Sequence, residues 1–330
     1  MEKVLGAARI PLATWPTPLD IATHPNFGTL LVKRDDLANF GGQRKSGVKA
    51  RKLEGLLAHA KLRGFRRIIV PLGNITNLGF DLINAAQDCE IAVTLLIVDD
   101  PYVQRSDREN IFRPILRNVR LLGSSYLWAA IQIGATGVSN WLEGSSTMIV
   151  LPSPAHPSSV IAVARGYIEA MNQSINQTGV LPRSVYIASS SGATAAGMIL
   201  GEALMRSAGA AAVHIFPVQV GQHPLKYWLS HLVRWSARSL QWDSVPTLSY
   251  SILRDSVNLI YGRFTKHHVD ICARVLDQFG FAIDPIYGGK SWHSMECSEY
   301  QPGARDQRPV MFWHCGYTPN WQDYSTLSFK

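Results

Sequence analysis

Gly47-Val48-Lys49-Ala50-Arg51-Lys52-Leu53-Glu54 is the stretch that decides how this sequence is interpreted. It follows the turn-forming run Gly41-Gly42-Gln43-Arg44-Lys45-Ser46-Gly47 and begins a basic segment with apolar residues at helical spacing. The pattern predicts a helix that starts at Lys49, where a strand-to-helix connection lets a lysine face a cleft. Nearby cations such as Arg51 and Lys52 lower the pKa of such an amine, as a nucleophilic amine requires. A basic helix start in solvent explains the same run equally well.

Runs typical of strands alternate with runs typical of helices, which predicts an α/β fold built from parallel-sheet units. The predicted strands cover residues 29–33, 67–72, 90–98, 119–122, 148–151, 184–189, 212–220 and 310–314. The predicted helices cover residues 49–63, 78–87, 105–116, 160–175 and 194–207. Between residues 225 and 247 the spacing of the apolar residues predicts a pair of surface helices.

The length and composition indicate a globular protein with two lobes. The chain has 330 residues, and single domains hold roughly 100–200. Its hydrophobic share is 46%, its mean hydropathy is +0.01, and no run reaches the roughly 18 apolar residues of a membrane helix. The N-terminus lacks the basic and apolar regions of a secretory signal, so we expect a cytoplasmic protein.

Charge, histidine and cysteine patterns argue against nucleic-acid binding, membrane binding and metal or disulfide sites. The net charge of +8 is spread along the chain, so an anionic cofactor or substrate and a solvated surface explain it, and we expect no nucleic-acid or membrane partner. The adjacent His267 and His268 point apart on a helix without a carboxylate at ligand spacing, which predicts no metal site. The cysteines form no C-x-x-C pair, which argues against a disulfide framework or structural zinc: Cys89, Cys272, Cys297 and Cys315.

A second candidate element is Ala188-Ser189-Ser190-Ser191-Gly192-Ala193-Thr194-Ala195-Ala196-Gly197, a strand that ends in small hydroxylated residues and leads into a helix. Backbone N–H groups at a helix N-terminus lack intrahelical partners and favour an anion, and Ser191 and Thr194 add hydroxyl donors. This pattern is typical of a phosphate-binding turn. An ordinary N-cap with a tight turn looks similar.

Further motifs occur in order on both sides of these two elements. Upstream stand Thr14-Trp15-Pro16-Thr17-Pro18-Leu19 and Val32-Lys33-Arg34-Asp35-Asp36-Leu37, and downstream stand Asp284-Pro285-Ile286-Tyr287-Gly288-Gly289-Lys290-Ser291 and His314-Cys315-Gly316. Over about residues 11–325 the chain resembles the fold-type-II pyridoxal-phosphate (PLP) enzymes. Within them it is most similar to the 1-aminocyclopropane-1-carboxylate (ACC) deaminase and D-cysteine desulfhydrase family.

The resemblance implies two α/β domains, each a twisted, mostly parallel sheet flanked by helices, with PLP in the cleft between them. Residues 1–53 and 156–330 are expected to form the large PLP-binding domain and residues 54–155 the small one. It further implies a homodimer and a small amino-acid substrate.

The resemblance also assigns roles to residues. Lys49 would carry PLP as a Schiff base; an insertion after the paired glycines brings Lys45 into consideration, but the intact K-x-R-K-L-E sets the register on Lys49. In the shortened loop Leu72-Gly73-Asn74-Ile75-Thr76-Asn77, Thr76 replaces the family serine that moves protons or attacks substrate, and Asn77 would bind the pyridoxal ring oxygen. The phosphate would be held by Ser190, Ser191, Gly192, Ala193 and Thr194.

Tyr287 and Tyr261 match family tyrosines that orient the substrate or tune the nucleophile. The chain departs from the family at Gly288, where a Glu or Thr touches the pyridine nitrogen. Since glycine has no side chain, a water or Cys315 would have to substitute, and the cofactor would be a weaker electron sink.

The function that follows is that of a lyase or deaminase, in which the freed Lys49 amine removes the α-proton and a keto acid and ammonia are released. One alternative is a β-replacement enzyme that adds a second substrate. Another is a catalytically impaired PLP-fold protein that serves as a binding partner.

Overall fold

The computed structural model of the chain describes residues 1–40, 44–45, 47–72, 77–98, 119–122, 131, 134–135, 146–150, 155–221, 225–254, 262–299 and 306–316. Its strands are β1 (Leu19–His24), β2 (Gly28–Arg34), β3 (Asn39–Phe40), β4 (Arg44–Lys45), β5 (Arg67–Leu72), β6 (Ala92–Val98), β7 (Val119–Leu122), β8 (Thr147–Ile149), β9 (Ser184–Ser189), β10 (His214–Gln219), β11 (Leu253–Arg254) and β12 (Val310–His314). Its helices are α1 (Glu2–Leu5), α2 (Lys49–Leu62), α3 (Asn77–Gln87), α4 (Pro157–Thr178), α5 (Ala193–Ser207), α6 (Leu225–Ser239), α7 (Lys266–Phe279) and α8 (Gly288–Glu299).

Two sheets organise this part of the chain and confirm the predicted α/β architecture. The larger sheet has the strand order β1-β2-β12-β9-β10-β11, in which only β1 runs antiparallel to its neighbour. The smaller sheet, β7-β6-β5-β8, is parallel throughout, and β3 and β4 form a separate antiparallel pair. Because parallel strands need a crossover connection, helices follow most of them.

Helices cover both faces of the six-stranded sheet. Along β12, Met311 and Trp313 belong to a core shared with α4, α5 and α6, whereas Val310 and Phe312 belong to a core shared with α7 and α8. Side chains of a strand alternate between faces, so a strand with four successive apolar residues, as β12 has at its start, is buried on both. This explains why β12 was predicted as a buried strand with the bounds observed.

Helix α2 links the two sheets. Leu53, Leu56 and Leu57 pack into the core of the four-stranded sheet. On another face of the helix, a Cβ at Gly55 would lie 2.3 Å from the Ser158 carbonyl oxygen of α4, so only glycine permits this approach. The expected domain boundary at residues 53 and 54 falls inside α2, and the division into a large and a small domain stays a prediction.

The predicted helix pair between residues 225 and 247 is wrong. One helix, α6, ends at Ser239, and Gln241 adopts a left-handed conformation with φ +56° that breaks the helical path. Leu229 and Leu232 of α6 are fully buried, so the helix packs into the core rather than only lying on the surface. The edge strand β1 was not predicted, and the predicted helix at residues 105–116 lies outside the described residues. In the described part of the chain, no helix has the length and apolarity to span a membrane.

Candidate functional site

The carboxyl ends of neighbouring parallel strands define one edge of the six-stranded sheet. In β12, Trp313 pairs with Lys33 of β2 on one side and with Ile187 of β9 on the other. Continuing this register brings Cys315, just after β12, level with Ser189, where β9 ends. Ligands of open α/β sheets bind at this edge, because the turns that follow the strands meet there.

A backbone contact holds Lys49 at this edge. The Val48 N–H donates to the Cys315 carbonyl over 2.8 Å, and α2 begins at the next residue. Gly47 has φ +64°, and a Cβ there would lie 2.1 Å from the same carbonyl oxygen, so the chains meet this closely only because residue 47 is glycine. A Cβ at Gly316 would lie 3.9 Å from the half-buried Lys49 Nζ. The lysine motif and the turn after β12, predicted separately, are thus brought together.

Arg51 ties α2 to the residue that directly follows β2. Its Nε and Nη2 atoms donate to the fully buried Asp35 carboxylate at 3.1 Å each, and its Nη1 atom donates to Glu169 at 3.2 Å. Its guanidinium also stacks 3.7 Å from the centre of the Trp15 ring. Arg51 therefore belongs to a buried ion pair, and the cationic cluster expected around Lys49 is reduced to Lys52.

Glu54 connects the same helix to the N-terminal segment. Its Oε1 atom accepts hydrogen bonds from Trp15 Nε1 at 2.7 Å, the Leu12 N–H at 2.9 Å and the Ala13 N–H at 3.3 Å. The Arg and Glu of the lysine motif therefore fix the orientation of α2, while its first residue faces the candidate site. The sequence analysis quoted these residues as a motif but did not identify these contacts.

Two titratable groups near Lys49 are shifted by burial. Desolvation, together with the charge of Lys49, lowers the pKa of the Lys52 amine to about 8. Desolvation and the charge of Asp35 outweigh the opposing charges of Lys49 and Lys52, and the pKa of the Cys315 thiol rises to about 12. At neutral pH the site therefore contains a protonated thiol beside two amines.

The predicted phosphate turn lies at the start of α5. Gly192 is the N-cap, with φ +85° in the left-handed region, and no side chain caps the first turn of the helix. A Cβ at Gly192 would lie 3.0 Å from Leu229 Cδ2, so space as well as conformation favours glycine. The buried Ser189 hydroxyl has no hydrogen-bond partner among the residues described. The turn thus offers backbone donors suited to an anion.

The segment before α8 reaches the same edge. Asp284 Oδ1 accepts from the Ile286 and Tyr287 N–H groups at 2.9 and 2.8 Å, which closes the turn that carries Tyr287. His314 Nε2 lies 2.8 Å from the Ala282 carbonyl oxygen and joins this segment to the end of β12.

Several predicted site residues cannot be placed from the structure. Thr76 and Tyr261 lie outside the described residues, as do the side chains of Asn77 and Lys45. Asn77 begins α3, so the loop predicted to carry these two residues does connect β5 to a helix.

Comparisons with known proteins find relatives that match most of the chain. No family model matches the chain. A Pyrococcus abyssi protein provisionally named ACC deaminase is 27% identical over 292 residues, with 87% of this chain and 85% of that protein covered. A mitochondrial Arabidopsis thaliana protein, named a bifunctional D-cysteine desulfhydrase and ACC deaminase, is 26% identical over 335 residues, covering 92% and 77%. A crystal structure described as that of an ACC deaminase homologue superposes with a TM-score of 0.79 at 22% identity, covering 99% and 98%.

The chain is thus similar over most of its length to proteins named ACC deaminase and D-cysteine desulfhydrase. It has the fold-type-II architecture of PLP-dependent enzymes. The residues present fit this cofactor. Lys49 would supply an amine for its aldehyde and the uncapped N-terminus of α5 would supply donors for its phosphate, and both stand at the carboxyl edge of one sheet.

Proposed function

We propose that the protein is a PLP-dependent lyase or deaminase that acts on a small amino acid and releases a 2-keto acid and ammonium. PLP supplies the electron sink that makes the α-proton of the substrate acidic. The protein's residues hold the cofactor, orient the substrate and move protons.

Lys49 has two roles in this proposal. Its Nζ atom holds the cofactor until the substrate amine displaces it, and the freed Nζ then takes the α-proton.

The start of α5 is proposed to hold the phosphate. The backbone N–H groups of the first turn bind phosphate oxygens, and the hydroxyls of Ser190, Ser191 and Thr194 add donors. Gly192 lets the chain enter the helix without a Cβ against Leu229, and Ala193 keeps the first turn free of bulk.

Substrate contacts are proposed for the tyrosines. Tyr287 is half-buried on a turn that Asp284 holds, so its ring has a fixed backbone from which to orient an amino acid. For Tyr261, Thr76 and Asn77 the family roles stay predictions.

The observation that carries the proposal is the 2.8 Å hydrogen bond from Val48 to Cys315, which anchors Lys49 at the ligand-binding edge of the sheet. The first experiment measures the visible absorbance of purified protein incubated with PLP. We expect a band from lysine-bound PLP that resists dialysis and is absent in Lys49→Ala. Lys45→Ala, which tests the alternative lysine, and the exposed Lys61→Ala should both keep the band. A band that survives in Lys49→Ala and disappears in Lys45→Ala overturns the assignment.

The reaction is tested by incubating the loaded protein with a panel of D- and L-amino acids and ACC. We expect equal amounts of ammonium and 2-keto acid from at least one of them. A β-replacement enzyme would consume a second nucleophile and release no ammonium. Bound PLP without turnover on the whole panel would favour the impaired binding protein.

A further inference from the structure

Two histidines from different helices meet at the surface where α7 packs against α8. His267 Nε2 of α7 lies 3.3 Å from His293 Nδ1 of α8, and the two rings stand at 85° to each other. The prediction of no metal site rested on His267 and His268, which are adjacent in the sequence. The fold separates these two, because His268 is buried in the capping box of α7 with Thr265, whereas His267 is exposed and reaches α8.

The packing of the two helices fixes this approach. A Cβ at Gly289, in the first turn of α8, would lie 3.2 Å from both Cys272 Sγ and the His268 carbonyl oxygen of α7, so glycine lets the helices come close. His293 stands one turn later on the same side of α8. Since both histidines are carried by helices, the separation of their nitrogens is set by backbone packing rather than by a loop.

The distance between the two nitrogens matches that of two ligands of one metal ion. Zinc–nitrogen bonds of about 2.0–2.1 Å at a tetrahedral angle place the nitrogens roughly 3.3–3.4 Å apart. A hydrogen bond between the rings is the alternative arrangement, although 3.3 Å exceeds the usual donor–acceptor range of about 2.7–3.2 Å.

Cys297 adds a thiol to the same surface. It is exposed and stands four residues after His293 on α8, and its Sγ atom lies 3.7 Å from His293 Nδ1 and 3.8 Å from His293 Nε2. A thiolate bound to zinc over about 2.3 Å lies roughly 3.6 Å from a nitrogen on the same ion. No three histidine, cysteine or acidic side chains in the described part of the chain are already arranged around one metal position. The two nitrogens have the required spacing, and the thiol has to turn about its χ1 bond to complete the set.

The charges beside this cluster are compensated. Lys266, next to His267, pairs with Asp270 at 2.9 Å, and Arg274 of the same helix pairs with Glu296 of α8 at 2.6 Å. These two basic residues therefore add little net repulsion to a cation bound between the helices.

From this geometry we propose that His267, His293 and Cys297 bind a divalent transition-metal ion such as Zn²⁺, with water as the fourth ligand. Imidazole and thiolate ligands favour Zn²⁺ over Mg²⁺ and Ca²⁺, which prefer oxygen. The thiol releases its proton to solvent as the ion binds. The ion joins α7 to α8, so it binds the folded chain and stabilises it. The site lies outside the proposed catalytic residues and does not depend on the proposed function.

Calorimetric titration of the full-length chain with Zn²⁺, after removal of metal by a chelator and without a histidine tag, tests the site. We expect Zn²⁺ to bind and to raise the melting temperature. His267→Ala and His293→Ala each remove a ligand and should weaken binding by at least about 10–100-fold, the loss typical when only a partner of a ligand is removed. His231→Ala, which removes an exposed histidine of α6, is the matched control and should leave the affinity unchanged.

The third ligand is tested with Co²⁺ as a coloured substitute for Zn²⁺. Coordination by Cys297 should produce a thiolate-to-cobalt absorption band that is absent in Cys297→Ser and retained in His231→Ala. A band that survives in Cys297→Ser, or bound Co²⁺ without any such band, overturns the three-ligand site.

The whole proposal is refuted if the wild type does not bind Zn²⁺, or if its affinity equals that of His267→Ala and His293→Ala, as two hydrogen-bonded histidines alone would give. If His293→Ala melts below the wild type in the absence of metal, His267→Ala, at the more exposed position, decides.

Discussion

Asp35 is the charged residue on which the buried polar contacts behind Lys49 converge. Its carboxylate accepts from Arg51, from the Thr17 hydroxyl at 2.7 Å and from Trp313 Nε1 at 2.9 Å. Desolvation alone would raise its pKa, but the charge of Arg51 and the hydrogen bonds outweigh burial and lower the pKa. Removing Arg51 leaves a buried charge without its counterion.

We therefore expect Arg51→Met to lower the free energy of unfolding by about 3–5 kcal/mol, the usual loss when one partner of a buried ion pair is removed. Arg165→Met is the matched control. Arg165 pairs with Glu169 on the same helix and is partly exposed, so its loss should be below about 1 kcal/mol. Urea denaturation of both variants measures the difference, and similar losses would contradict the assigned role of Asp35.

The buried Lys33 makes stability depend on pH. Desolvation lowers the pKa of its amine from 10.5 to about 8 in the folded protein. Between pH 8 and pH 10.5 the unfolded chain binds more protons than the folded one, so the free energy of unfolding rises with pH. Below about pH 8 the amine is protonated in both states, and the folded state carries the full cost of burying its charge.

We therefore expect the free energy of unfolding of the wild type, relative to that of Lys33→Met, to rise by on the order of 1–3 kcal/mol between about pH 7.5 and about pH 10. Lys266→Met, which removes an exposed lysine paired with Asp270, should show no such trend. Urea titrations at the two pH values test this. A difference between wild type and Lys33→Met that does not vary with pH would refute it.

At the scale of elements, the candidate site is built from connections rather than from strands or helices themselves. The start of α2 is joined to the end of β12 through Gly47, and the start of α5 is entered from β9 through Gly192. Both glycines have positive φ, and in both a Cβ would lie too close to a neighbouring atom. The geometry of the site thus depends on Gly47 and Gly192, which have no side chain that could take part in a reaction.

Gly47→Ala should lower PLP affinity and thermal stability together, because the new Cβ would lie 2.1 Å from the Cys315 carbonyl oxygen and push α2 away from β12. Gly28→Ala is the control: its φ is +81°, but no atom lies within 4 Å of the added Cβ. Both variants place alanine at a positive φ, which costs roughly 1 kcal/mol in each. The additional loss of stability in Gly47→Ala therefore measures the contact between the new Cβ and the Cys315 carbonyl. Equal losses in calorimetry and PLP titration would contradict it.

On the scale of the whole molecule, the parallel order of β2, β12, β9 and β10 collects the turns after these strands at one edge. A ligand that contacts both α2 and α5 binds only the folded chain and therefore stabilises it. PLP at about a hundred times its Kd should raise the free energy of unfolding by roughly 2.7 kcal/mol. Thermal melts with and without PLP measure this, and Lys49→Ala should lose most of the gain. A gain of equal size in that variant would show that Lys49 is not the anchor.

The homodimer expected from the resemblance stays a prediction, which light scattering of the purified protein tests directly. A monomer that binds PLP and turns over substrate would contradict it.

Sequence alone determined the local elements around the site. The strands at Arg67–Leu72, Ser184–Ser189 and Val310–His314 have the predicted bounds, and α2 begins at the predicted residue. Patterns of apolar residues and of glycine act over a few positions, so they can be read without knowing the fold. The order of the motifs also indicated the resemblance to ACC deaminase and D-cysteine desulfhydrase proteins that the comparisons found. The sequence patterns failed at two places. The edge strand β1 is mostly exposed, so its residues show no apolar pattern that would predict a strand. The helix predicted after α6 does not form, because the chain turns at Gln241, which has a positive φ.

Only the tertiary structure decided which residues meet. Lys49 and Cys315 are far apart in the chain and are joined by the parallel pairing of β12 between β2 and β9. The pairing of Arg51 with Asp35 likewise depends on packing between distant segments, which no local pattern encodes. Lys49 was marked by its motif, but its position beside a neutral thiol is a property of the fold.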